Sequence, residues 1–234
     1  MHVKICGNTN LDDAQMAVEL GADAVGFVFA PGVRQLTPEQ VAAITRHLPA
    51  QAERVGVCPA WSAEQIVAAA FTSGLTGVQL HGGFDVERAR RVQELAEGRL
   101  TVVQVLSWEI DGGPEQEEHL RRNLARAAAE PAIDRLLVDS KVGKERGGTG
   151  VSFDWERAHA LLAELAGGAE GMPLGKPLLI AGGLRPETVA GAVLTLHPWG
   201  VDVSSGVESR PGKKDSDKIK EFLSSARSAR LASA

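Results

Sequence analysis

The chain has 234 residues, a formal net charge of −5, 44% hydrophobic and 24% charged residues, no tyrosine and 4% aromatics. That is ordinary globular composition, with no basic stretch and too few aromatic platforms to leave the footprint of a nucleic-acid binder. No apolar run is long enough to span a bilayer, and Met1-His2-Val3-Lys4 enters a strand pattern without a signal peptide; a cytoplasmic protein with no membrane partner is expected.

In chain order, β-branched or Leu-rich runs fall at Val3–Cys6, Ala24–Phe29, Arg54–Val57, Gly77–Leu80, Thr101–Leu106, Arg135–Asp139, Pro177–Ala181 and Val201–Ser204. Each is followed by a segment of helical period: Leu11–Leu20, Pro38–Leu48, Ala63–Ser73, Val86–Ala96, Glu115–Glu130, Phe153–Ala166, Pro186–Leu196 and Asp215–Arg227. Strict alternation implies parallel strands with helical crossovers. Thr37-Pro38-Glu39-Gln40 reads as a capped helix start with Pro at the first helical position, and Ser62 with Gln65 as another start. Gly21, Gly74 and Gly98 stand where left-handed helix caps are wanted. The loops Ser107–Pro114 and Gly167–Lys176 look long, and the Ser/Ala/Arg-rich tail is expected to fray from about residue 224. No G-x-G-x-x-G follows the first strand, so an open dinucleotide-binding sheet lacks its mark. The fold class expected is α/β, a single (β/α)8 TIM barrel over residues 1–234, with chemistry in the loops after the strands' C-terminal ends.

Two cysteines, Cys6 and Cys58, cannot make a zinc ribbon and lack histidines at ligand spacing, so free thiols in a reducing cytosol and no metal are expected. Side chains alternate along a strand, which sends Lys4 and Cys6 inward and Ile5 to the helix layer. Cys6 then sits at the rim, where a thiolate can take a proton from carbon; a lone cysteine near a strand end is more often a small core residue. Asp139, directly after Leu136-Leu137-Val138, is a candidate acid or base at the same rim; alone, it reads more often as a turn-capping Asp. Glycine-rich loops follow the last three strands: Gly147-Gly148-Thr149-Gly150, Ala181-Gly182-Gly183-Leu184 and Ser204-Ser205-Gly206. Loops after strands seven and eight are where barrels hold phosphate with backbone N–H groups. Arg34, in Pro31-Gly32-Val33-Arg34, can clamp a carboxylate through two parallel hydrogen bonds, or be a solvated surface arginine. His81 reads either as a substrate contact or as a residue capping its strand end. Asp202 shares the inward parity of Ser204, and strand eight neighbours strand one when the barrel closes. A buried Lys4–Asp202 ion pair across that seam is therefore expected, since either charge alone would be costly there.

Taken jointly, Lys4-Ile5-Cys6-Gly7, Gly21–Phe29, Val78-Gln79-Leu80-His81-Gly82, Leu136–Ser140, Gly147–Gly150, Phe153-Asp154-Trp155, Ala181–Leu184 and Val201–Glu208 resemble the phosphoribosylanthranilate isomerase family of tryptophan biosynthesis. The likeness covers nearly the whole chain. It implies an Amadori rearrangement of N-(5-phosphoribosyl)anthranilate to 1-(2-carboxyphenylamino)-1-deoxyribulose 5-phosphate. Asp139 would be the general acid that opens the ribose ring, and Cys6 the base that removes the C2 proton. Arg34 would hold the anthranilate carboxylate, with backbone groups near Gly182, Gly183, Ser205 and Gly206 on the phosphate. Cys6 would work as a thiolate, with Lys4 the nearest positive charge in sequence, and Asp139 would stay partly protonated near neutral pH. No cofactor is implied, and either a monomer or a homodimer fits. The chain departs from the family pattern at Val57-Cys58-Pro59-Ala60 and Pro31-Gly32-Val33, which bears on how the anthranilate ring is seated. Two rivals stand beside this reading. An isomerase of a related ribose phosphate would end its first strand in Asp, where this chain has Cys6. A non-catalytic phosphate-binding barrel would have no need of both Cys6 and Asp139.

Overall fold

A computed structural model describes residues 1–109, 113–141, 160 and 175–232. Its strands are β1 (His2–Ile5), β2 (Ala24–Val28), β3 (Glu53–Cys58), β4 (Gly77–Leu80), β5 (Thr101–Glu109), β6 (Arg135–Lys141), β7 (Leu178–Ala181) and β8 (Gly200–Val203). They pair in chain order into a closed barrel, and every pairing is parallel. The closing seam joins β1 to β8 with Lys4 opposite Asp202.

Seven helices lie among the described residues: α1 (Leu11–Glu19), α2 (Pro38–Thr45), α3 (Ala63–Thr72), α4 (Val86–Ala96), α5 (Gly113–Ala129), α6 (Pro186–Leu196) and α7 (Ser216–Ala232). The expected helix over 153–166, residue 160 apart, and the glycine run 147–150 lie outside the described residues. Thr37 and Ser62 each accept from the backbone N–H three residues on, and Gln40 and Gln65 return the bond, so both capping boxes form as the sequence predicts. Gly21, Gly74 and Gly98 have positive φ just past their helices.

Two expectations need correction. The stretch expected to begin a loop at Ser107 continues β5 to Glu109, because Trp108 is 2% exposed and its strand still pairs with β6. The tail does not fray at 224. Helix α7 runs to Ala232 because Leu223, Ala226 and Ala229 recur at helical spacing and are all buried. The sequence also gave no sign of a small antiparallel ribbon, β9 (Glu208–Arg210) with β10 (Lys213–Lys214), between β8 and α7.

Among the described residues the apolar core has two parts, as the alternation requires. Val3, Ile5, Phe27, Val78, Leu80, Leu136, Ile180 and Val201 pack outward against the helices. Val103, Val105, Leu137, Leu179 and Ala181 form a smaller cluster of their own. At the N-terminal end of the barrel the His2 ring stacks on Trp199, with centroids 4.4 Å apart. The Arg135 guanidinium lies 4.8 Å over Trp199 and binds both Glu53 carboxylate oxygens at 2.9 and 2.8 Å. That plug closes one end and leaves the other for the site.

Candidate active site

The seam ion pair is present. Lys4 Nζ donates to Asp202 Oδ2 at 2.8 Å and to Gln79 Oε1 at 2.9 Å, with the Lys4 and Asp202 side chains 3% and 7% exposed. Burial works against the Lys4 ammonium, but the charge and hydrogen bond of Asp202 together with those of Cys6 outweigh it, and Lys4 is held above the ordinary lysine range.

Cys6 lies one inward step above Lys4 and is 7% exposed. Its backbone N–H still bonds Val203 O at 2.8 Å, so the seam holds it on the barrel. Gly26 of β2 makes the room: a Cβ there would stand 2.7 Å from Cys6 Sγ and 3.0 Å from Lys4 Cε. Behind Cys6, the buried Asn8 donates to Ile5 O and Gly26 O at 2.8 and 3.2 Å and pins the loop to both strands. Sequence reasoning passed over Asn8, Gly26 and Gln79. Burial pushes the Cys6 thiol above its ordinary range, and the pull of Lys4, opposed by Asp202, does not reverse it. That direction favours the thiol over a preformed thiolate at neutral pH.

A cavity of about 390 Å³ opens above Cys6. Cys6, Arg34, His81, Asp139, Gly182, Gly183, Ser205 and Gly206 all line it, although they come from six different strand ends. Each residue singled out for chemistry or binding thus faces one space. Gln79 and Asp202 form part of its lining as well.

The family model of N-(5'-phosphoribosyl)anthranilate (PRA) isomerase matches residues 3–225. The chain belongs to this family. The N-(5'-phosphoribosyl)anthranilate isomerase of Thermotoga neapolitana is 38% identical over 228 residues, 97% of this chain and 98% of that one. The crystal structure of the Thermotoga maritima isomerase superposes with a TM-score of 0.79 at 37% identity, covering 97% and 99% of the two chains. A further isomerase structure, solved with reduced 1-(o-carboxyphenylamino)-1-deoxyribulose 5-phosphate, gives a TM-score of 0.76 at 35% identity over 97% of this chain and 99% of that one.

Within this isomerase fold the loops after β7 and β8 are pressed together. A Cβ on Gly206 would lie 1.9 Å from the Leu184 carbonyl oxygen and 3.2 Å from Arg185 Cα, both backbone atoms. No side chain fits there without separating the two loops. Gly206→Ala is expected to weaken inhibition by inorganic phosphate about tenfold and to cost about 1–3 kcal/mol of stability by overpacking. Inhibition constants and urea melts measure both, and an unchanged phosphate constant would detach this loop from anion binding.

Arg34 has a protein partner that the sequence did not name. The two parallel hydrogen bonds foreseen for a substrate carboxylate are made to Glu208, from Nε to Oε1 at 2.7 Å and from Nη2 to Oε2 at 2.6 Å. The arginine lies against Gly7, where a Cβ would stand 2.6 Å from Arg34 Cδ; Gly7, at φ +75°, permits the turn and the contact together. Both bonds use one edge of the guanidinium, which leaves Nη1 for another ligand. Burial works against the Glu208 charge, but hydrogen bonding from Arg34 and the nearby Lys214 charge hold its carboxyl below the usual range.

Proposed function

We propose that this protein is a phosphoribosylanthranilate isomerase that rearranges N-(5-phosphoribosyl)anthranilate to 1-(2-carboxyphenylamino)-1-deoxyribulose 5-phosphate. The observation that carries the reading is the convergence of Cys6, Asp139, Arg34 and the two phosphate-type loops on one cavity. Asp139 gives a proton to the ribose ring oxygen, and the ring opens to an imine. Cys6, as thiolate, removes the C2 proton, and the enolamine tautomerises to the ketone. Substrate and product are isomers, so the sequence needs no oxidant, reductant or added group. Backbone N–H groups near Gly182, Gly183, Ser205 and Gly206 hold the phosphate. Arg34 holds the carboxylate through Nη1, and His81 completes the wall. Residues 1–234 act as one cytoplasmic domain, as a monomer or a homodimer.

The reading is tested by generating phosphoribosylanthranilate in place from anthranilate and following its fluorescence. Wild-type protein is expected to consume it; a folded protein without turnover would overturn the assignment. Arg34→Ala is expected to raise KM roughly tenfold or more, the scale of one lost charge-assisted bond, while inhibition by inorganic phosphate changes far less. Equal losses for both ligands would make Arg34 structural.

A further inference from the structure

Beyond the groups facing the cavity, one buried cluster touches both of its anion-holding ends. Lys214 of β10 has a side chain 0% exposed. Its Nζ donates to Ser204 O at 3.1 Å, the carbonyl from which the loop Ser205-Gly206 springs, and to Glu208 Oε1 at 3.0 Å. Glu208 in turn holds Arg34 by two bonds. The ribbon carrying both residues is anchored to the opposite side of the seam: Asp13 of α1 accepts from the Lys214 N–H at 2.8 Å and pairs with the Lys213 ammonium. Lys218 Nζ adds a bond to Glu208 O at 2.7 Å.

We propose that Glu208 and Lys214 are positioning residues that join the two ends of the substrate site, Lys214 fixing the root of the phosphate loop and Glu208 aiming Arg34 at the carboxylate. This rests on the isomerase reading above. The charges explain why a carboxylate belongs between them. Arg34 and Lys214 without Glu208 would be like charges held close together in a partly buried cluster. With it, the cluster keeps one net positive charge and a fixed guanidinium plane. Neither residue needs to touch substrate, so each acts through the group it holds.

A double-mutant cycle separates this from a merely structural role. Glu208→Gln preserves shape and is expected to raise KM for phosphoribosylanthranilate roughly tenfold, with a smaller fall in kcat, the scale of one charge-assisted bond. In an Arg34→Ala background the same change is expected to add less than about twofold, because its effect passes through Arg34. Additive losses would overturn the proposal. On the other end, Lys214→Met is expected to weaken calorimetric binding of inorganic phosphate roughly tenfold, and Lys214→Arg to restore most of it. Folding of each variant is checked by circular dichroism. If Lys214→Met does not fold, Lys214→Gln replaces it, keeping a donor but no charge, and an unchanged phosphate constant in either would also overturn the proposal. Absence of wild-type turnover would instead sink the isomerase reading, an outcome distinct from additivity among active variants.

Discussion

Cys6→Ser and Asp139→Asn are each expected to lower kcat/KM by about 10²–10⁴-fold, the range for loss of a general base or acid, while leaving phosphate binding nearly intact. Near-normal rates in either variant would remove that residue from the chemistry. The pH profile carries a sharper expectation. In the proposed mechanism the active form has Asp139 protonated and Cys6 ionised, and carboxylic acids ionise far below thiols. Between the two ionisations the acid form falls as fast as the thiolate rises, so kcat/KM is flat. Above the thiol's ionisation the base is complete and only the acid continues to decline. The alkaline break therefore marks Cys6, and burial places it above a thiol's ordinary range. A break near pH 7 or below would mean that the thiolate is preformed and that Lys4 outweighs burial.

Lys4→Met has the largest effect expected on stability. It strands Asp202, 7% exposed, whose Oδ1 already has no hydrogen-bond partner among the described residues. Removing one member of a buried pair costs roughly 3–5 kcal/mol. For a chain of this size that lowers the melting temperature by on the order of 10 °C. Lys4→Met with Asp202→Asn removes both charges and is expected to recover most of the loss. Thermal and urea melts of the single and double variants decide it. A double variant as unstable as the single would show that the loss comes from packing of the lysine stem instead of an unpaired charge.

That pair was legible in the sequence because two independent rules met on it. Alternation sent Lys4 and Asp202 inward, and barrel closure put their strands side by side. The same parity placed Cys6 and Asp139 at one rim, and loop position placed Gly182, Gly183, Ser205 and Gly206 with them. Gln79 obeys the alternation too, but a neutral amide raises no cost that demands a partner, so nothing flagged it. Glu208 and Lys214 escaped for another reason. They sit on strands of three and two residues, too short for any period to show, and the Glu208 bonds reach Arg34, 174 positions away. The tail misled through composition: Ser, Ala and Arg suggest fraying, yet small alanines at helical spacing are what let α7 lie close to its neighbours. Arg34 was found by its place after β2, while its partner was not, since a lone arginine announces a need for an anion without saying whose.

The closed seam sets a clock on biosynthesis. Lys4 and Asp202 are 198 positions apart, so at about 5–20 residues per second the ribosome takes roughly 10–40 s to deliver the partner after Lys4 has been made. Through that interval β1 presents one unpaired edge, and the lysine has no carboxylate to offset its desolvation. The Cys6 thiol, in the finished barrel 7% exposed and facing the cavity, has fewer neighbours to cover it on the same nascent strand. Oxidants and neighbouring chains therefore meet it most easily before the protein is complete.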